Sequence, residues 1–111
     1  MDFEPFDVVV VPFPFTDKVG AKRRPALVLS TPAFNGSHDQ VILAMITSAR
    51  QSDWPSDVVL EQWGDAGLST ACRVRFKLFT LDRELILKRV GGLAAGDKAR
   101  VQSALSGGFA I

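Results

Sequence analysis

Six short runs rich in β-branched and aromatic residues, each bounded by Gly, Pro, Asn, Asp or Ser, restrict this chain more than any other feature. They are DVVVVPF (7–13), PALVLS (25–30), QVILAMIT (40–47), DVVLE (57–61), CRVRFKLFT (72–80) and ELILKRV (84–90). Branched and ring side chains fit a pleated, half-buried surface, so each run reads as a strand. Their close spacing leaves little room for the crossover helices that parallel strands require. The expected fold is therefore mainly β, a small SH3-like antiparallel barrel. From Ala94 to Leu105, AAGDKARVQSAL, the period changes. Val101, Ala104 and Leu105 fall on one helical face, and Gly107-Gly108 supplies a stop. One C-terminal α-helix is expected to pack on the barrel, with residues 1–111 forming a single domain.

At 111 residues and 47% apolar, the chain can bury one modest core and should fold. Its longest apolar stretch, VVVVPFPF (8–15), is broken by prolines and too short to span a bilayer, so no membrane partner is expected. The acidic start MDFEPFD lacks the cationic opening of a secretory signal. A single cysteine, Cys72, excludes an internal disulfide and a cysteine-based zinc cluster. These features fit a cytoplasmic protein. The formal charge of +1 conceals a segmental pattern. Residues 1–17 carry four acids and no bases, and 18–50 carry five bases and one acid. Residues 51–71 carry four acids and no bases, and 72–100 carry eight bases and three acids. Folding can gather such segments into a positive face suited to a polyanion, or interleave them.

Several chemistries are disfavoured. His38 is the one histidine and sits in the turn-like NGSHDQ, so two-imidazole acid–base catalysis has no second partner. No zinc-ligand spacing, paired carboxylates, glycine-rich phosphate loop or nucleophile elbow is present, and no cofactor or metal is expected. Arginine remains. Alternation along 72–80 sends Cys72, Val74, Phe76 and Leu78 to one side and Arg73, Arg75 and Lys77 to the other. Those cations recur at roughly 6–7 Å, close to phosphate spacing in an extended nucleic-acid strand, although a solvated strand face has the same pattern. At the second run, Lys22-Arg23-Arg24 precede Pro25. Proline fixes its own φ and biases the residue before it toward extended backbone, which makes Arg24 a rigidly mounted cation. A guanidinium binds phosphate bidentately and can hold an oxyanion that gains charge in a transition state.

These motifs, in this order, resemble the MazF/PemK toxins of bacterial type II toxin–antitoxin systems. DVVVVPFPFTD (7–17) is similar to that family's first strand and following loop, and KRRPALVLS (22–30) to its Arg-Pro strand. ILAMITSA (42–49) resembles the strand ending in a functional threonine, VRFKLFTLDRELI (74–86) a later strand and turn, and VGGLAAGDKARVQSAL (90–105) the closing strand and helix. The resemblance implies an SH3-like barrel, commonly a homodimer, that cuts single-stranded RNA without metal at specific sequences. The products would be a 2′,3′-cyclic phosphate and a 5′-hydroxyl. It places the catalytic pair on Arg24 and Thr47. An arginine pKa above roughly 12 suits charge stabilisation better than proton abstraction, and a threonine can donate to a non-bridging phosphate oxygen. Lys18, Lys22, Arg23 and Ser48, with Arg73 and Arg75 of the later strand, are the expected RNA contacts. The loop FTDKVGAKR (15–23) would close over RNA and be displaced by an antitoxin with an acidic, disordered segment. Departures from the family pattern are Phe6 before Asp7, Ala21 after the loop glycine, and Lys77 in place of a glutamine.

Other readings stay open on the residues alone. Thr47 and Ser48 suit any strand end, and Arg23 any strand edge. Trp54 and Trp63 lie in polar segments, where a ring plugs a barrel end more readily than it stacks a base. A DNA gyrase inhibitor of the same fold, like the CcdB proteins, would work through its C-terminal residues, and the tail SALSGGFAI has no Trp. A non-catalytic SH3-like module would use the loop groove for a peptide and leave RNA intact.

Overall fold

The computed structural model describes residues 2–13, 22–50 and 53–110. Among the described residues six strands form one antiparallel sheet: β1 (Asp7–Phe13), β2 (Lys22–Val28), β3 (Gln40–Ser48), β4 (Val58–Val59), β5 (Cys72–Asp82) and β6 (Lys88–Gly92). Their order across the sheet is β4-β5-β3-β2-β1-β6, curled as in the expected SH3-like barrel but with β4 and β6 as edges. Helix α1 (Pro32–His38) separates β2 from β3, and helix α2 (Ala95–Gly108) ends the fold.

Alternation buries both faces of the sheet. Val8, Leu27, Ala44, Ile46, Cys72 and Val74 join Val101 of α2 in one core cluster, with Ala104 and Leu105 packed against it. The helical face read from the sequence is thus the one that docks. Neighbouring positions, among them Val9, Val11, Ala26, Val28, Val41 and Leu43, form a second cluster with Phe3 and Ile86. Each strand of β1–β3 therefore contributes to two cores, which explains their nearly continuous apolar runs.

Three expectations are corrected. The segment around His38 is a helix rather than a turn: Thr31 caps it by accepting from the Phe34 N–H at 3.2 Å, and Pro32 occupies the first turn. The run 57–61 forms a ladder at Val58 and Val59 with one further bond, from the Leu60 N–H to the Cys72 carbonyl at 3.0 Å, before Glu61 and Gln62 turn to meet α2. In the run 84–90, pairing starts at Lys88, after a 3₁₀ turn over Arg83–Leu85. Helix α2 ends at Gly108, so the stop expected at Gly107-Gly108 falls where the helix terminates. No helix among the described residues is long and apolar enough to cross a membrane.

Candidate functional site

Register brings the two principal residues together. β2 and β3 pair through Val28↔Leu43, Leu27↔Ala44 and Ala26↔Met45, and that ladder then ends. Two residues further along each strand stand Arg24 and Thr47, on the same sheet face as Ala26 and Met45. Pro25 lies where the ladder stops, and it has no N–H with which to continue one. On its other side β2 stays fastened to β1 as far as Phe13↔Lys22. The proline thus parts two strands while the backbone carrying Arg24 remains held.

Where the strands part lies a cleft of about 310 Å³. Its walls are Arg24 and Pro25 of β2, Phe13 of β1, Met45 to Ser48 of β3, and Leu68 to Thr70 with Cys72. Among the described residues lining it none is acidic, and Arg24 supplies the positive charge. Arg24 is exposed and makes no ion pair among the described residues, so its guanidinium is available to an anion. Thr47 is half-buried, and its hydroxyl has no hydrogen-bond partner among the described residues. The Ser48 hydroxyl accepts from the Arg50 N–H at 3.2 Å, which leaves its O–H to donate. An Arg24 guanidinium without an ion pair and a Thr47 hydroxyl without a partner among the described residues, in a cleft with no acid among its described lining residues, can hold an oxyanion.

Lys22 and Arg23 lie exposed on β2 beside Arg24. Lys18 falls outside the described residues. Arg73 sits across the β3–β5 ladder from Thr47, but it is no part of an exposed cationic ladder. It is 8% exposed; Nη1 is paired with Asp53, and Nη2 donates to the Ala49 carbonyl. Arg75 donates to both oxygens of Asp57, from Nε at 3.1 Å and Nη2 at 2.8 Å. The sequence-derived ladder fails because acids from the 53–57 loop fold onto it, leaving only Lys77 of the three cations exposed. A bulge adds Phe76 and Lys77 between Arg75↔Met45 and Leu78↔Ala44, so the inward row Cys72, Val74, Phe76, Leu78 still meets its core. Cys72 is buried, and burial pushes its thiol pKa up, away from nucleophilic use.

The tryptophans divide. Trp63 packs against the first core cluster, as a plug should. Trp54 does not plug: it is 40% exposed, with the Arg75 guanidinium 5.0 Å from its ring centroid. The wall Leu68–Thr70 was missed in the sequence, where GLST reads only as a loop.

The family model for the PemK-like, MazF-like toxin of type II toxin–antitoxin systems matches residues 4–108. Among solved structures, MazF from Deinococcus radiodurans is 26% identical, covering 96% of each chain at a TM-score of 0.73. A MazE–MazF complex from the same organism is 27% identical at a TM-score of 0.75, covering 96% of this chain and 95% of that one. An endoribonuclease in complex with its cognate antitoxin, from a mycobacterial species, shares the fold at 17% identity and a TM-score of 0.74, covering 96% and 91%. No curated protein matches the chain.

Proposed function

The chain belongs to the PemK-like, MazF-like toxins of type II toxin–antitoxin systems, and we propose that it is a sequence-specific endoribonuclease that cleaves single-stranded RNA without metal. The observation that carries this reading is the convergence of Arg24 and Thr47, from two strands that part at Pro25, on one cleft with no acid among its described lining residues. In the proposed reaction the ribose 2′-oxygen attacks the adjacent phosphorus. The P–O2′ bond forms and the P–O5′ bond breaks, giving a 2′,3′-cyclic phosphate and a 5′-hydroxyl. The 2′-proton passes to a base, and the leaving 5′-oxygen takes up a proton. Arg24 faces the charge that develops on the non-bridging oxygens, and Thr47 donates to one of them. Lys22 and Arg23, exposed on the same strand, supply phosphate contacts.

An antitoxin partner follows the same reading. The solved MazE–MazF complexes of Deinococcus radiodurans pair such a barrel with its antitoxin, and an acidic, disordered segment would suit the cationic strand Lys22–Arg24 here. The active form is proposed to be a homodimer in the cytoplasm.

The test is incubation of the purified chain with long single-stranded RNA in excess EDTA, beside Arg24→Ala and Thr47→Ala variants of confirmed fold. Discrete fragments with 5′-hydroxyl ends from the parent, reduced about 100-fold or more in both variants, are expected. Equal cleavage by all three would remove the two residues from the mechanism. Intact RNA in every lane would overturn the nuclease reading.

A further inference from the structure

The cleft extends beyond the two residues assigned to the phosphate. Leu68, Ser69 and Thr70 form part of its lining, and nothing in the proposed reaction uses them. Leu68 and Ser69 are half-buried and Thr70 is exposed. Neither the Ser69 nor the Thr70 hydroxyl has a hydrogen-bond partner among the described residues. Pro25 and Met45 line the same space with apolar surface.

This wall is fixed before any ligand arrives. The Ala66 and Leu68 N–H groups both donate to the Trp63 carbonyl at 3.2 Å, and the Ala49 N–H donates to the Ala71 carbonyl at 3.0 Å. Gly67 has φ +83°, and a Cβ there would lie 2.2 Å from the Val90 carbonyl oxygen. A Cβ on Gly91 would lie 2.4 Å from the Ala66 carbonyl oxygen. Two glycines thus let the segment press directly on β6, so residues 68–70 are held from both ends on backbone contacts. A preformed wall orders little on binding, which is what a selective subsite requires.

We propose that Leu68, Ser69 and Thr70 form a nucleobase subsite that reads the unpaired base beside the scissile phosphate; this rests on the nuclease reading of the cleft. An unpaired base has two apolar faces and a polar edge. Leu68, Pro25 and Met45 supply surface for a face, and the two hydroxyls, each able to donate and to accept, supply the edge. A cleft of about 310 Å³ has room for one base beside the phosphate. In a site built to bond a polar edge, the wrong base leaves those hydroxyls unmatched, and discrimination follows.

The experiment uses the full chain and Ser69→Ala, Thr70→Val and Leu68→Ala variants. Each digests a pool of RNA randomised around a central segment, and the 5′-hydroxyl ends are captured and sequenced. The expected result is a preference of about tenfold or more at one flanking position in the parent, lost in Thr70→Val or Ser69→Ala, with other positions unchanged. Leu68→Ala is expected to lower cleavage at every sequence. Identical preference profiles in parent and hydroxyl variants would overturn the subsite while leaving the nuclease reading intact. Should the parent cut nothing, the nuclease reading falls, and the subsite is judged by fluorescence anisotropy with four homopolymeric hexaribonucleotides. Base-dependent affinity erased by Thr70→Val supports it, and equal affinity for all four overturns it.

Discussion

Arg73 stands opposite Thr47 across the β3–β5 ladder and, through its Nη2, donates to the carbonyl of Ala49, two residues beyond Thr47. Its other terminal nitrogen is paired with Asp53. One guanidinium therefore fastens the end of β3 to the loop that precedes β4, and Thr47 and Ser48 lie on the fastened segment. Arg73 is thus better placed to position Thr47 than to meet RNA. Its Nε is buried without a partner among the described residues, a desolvation cost that an apolar replacement relieves. For Arg73→Met we expect a stability change within about 1 kcal/mol. On the nuclease reading, kcat should fall about 10- to 100-fold with KM little changed, the signature of misplaced groups rather than lost binding. A rise in KM with a shallower salt dependence would return Arg73 to the phosphate contacts.

Asp57 governs the acid limb of stability. Burial pushes its carboxyl up, but this is outweighed by the Arg75 hydrogen bonds, the Trp54 N–H and the charges of Arg75 and Arg73, and the folded pKa lies below the ordinary value. A depressed folded pKa adds stability that is complete above the unfolded value of about 4 and is lost as pH falls through the folded one. Asp57→Asn should lower stability at pH 7 by about 2 kcal/mol, with the gap to the parent closing below about pH 4. Urea melts of both proteins at a series of pH values check it. A gap of constant size across that range would remove the charge of Asp57 from the account.

What the sequence disclosed and what it hid follow one physical rule. The Arg24-Pro25 step, the strand end beside Thr47 and four of the six branched runs are local patterns that appear close to where they were read, while 57–61 and 84–90 pair over only part of their length. Arg73 and Arg75 show the other case. Alternation gave their side of the strand, but Asp53 and Asp57 lie 20 and 18 residues away in the chain, and only the fold brings them there. The capping of α1 by Thr31-Pro32 was a legible signal obscured by the turn-like residues after it. Leu68–Thr70 carry no periodicity at all, because their place is set by contacts of Gly67 and Gly91 rather than by strand pairing.

Asp97 ties α2 to the chain that leads into that wall. It is 1% exposed in the first turn of the helix, where a carboxylate complements the helix dipole. Its oxygens accept from the N–H groups of Glu61 at 3.0 Å and Gln62 at 2.9 Å, and it pairs with Arg100. Asp97→Ala would orphan two backbone donors in one step. A loss of about 3 kcal/mol is expected in denaturant melts, with faster amide exchange at Glu61 and Gln62. Exchange there at the parent's rate would mean that another group takes over the two donors.

Gly91 and Gly96 separate close approach from conformational freedom. At Gly91 an added Cβ would meet the Ala66 carbonyl oxygen, a backbone atom, at 2.4 Å, so β6 or the 64–68 turn must move. Gly96 lies in the first turn of α2, with nothing within 4 Å of a Cβ. Alanine at Gly96 restricts the unfolded chain and suits the helix, while alanine at Gly91 forces two backbones apart. Gly96→Ala should gain about 0.5 kcal/mol and leave base preference untouched. Gly91→Ala should lose about 2–3 kcal/mol. If Leu68, Ser69 and Thr70 read a base from a wall held by this contact, Gly91→Ala should also blunt preference at the position that Thr70→Val affects. Preserved preference in a destabilised Gly91→Ala protein would show that the wall keeps its shape without β6 beneath it.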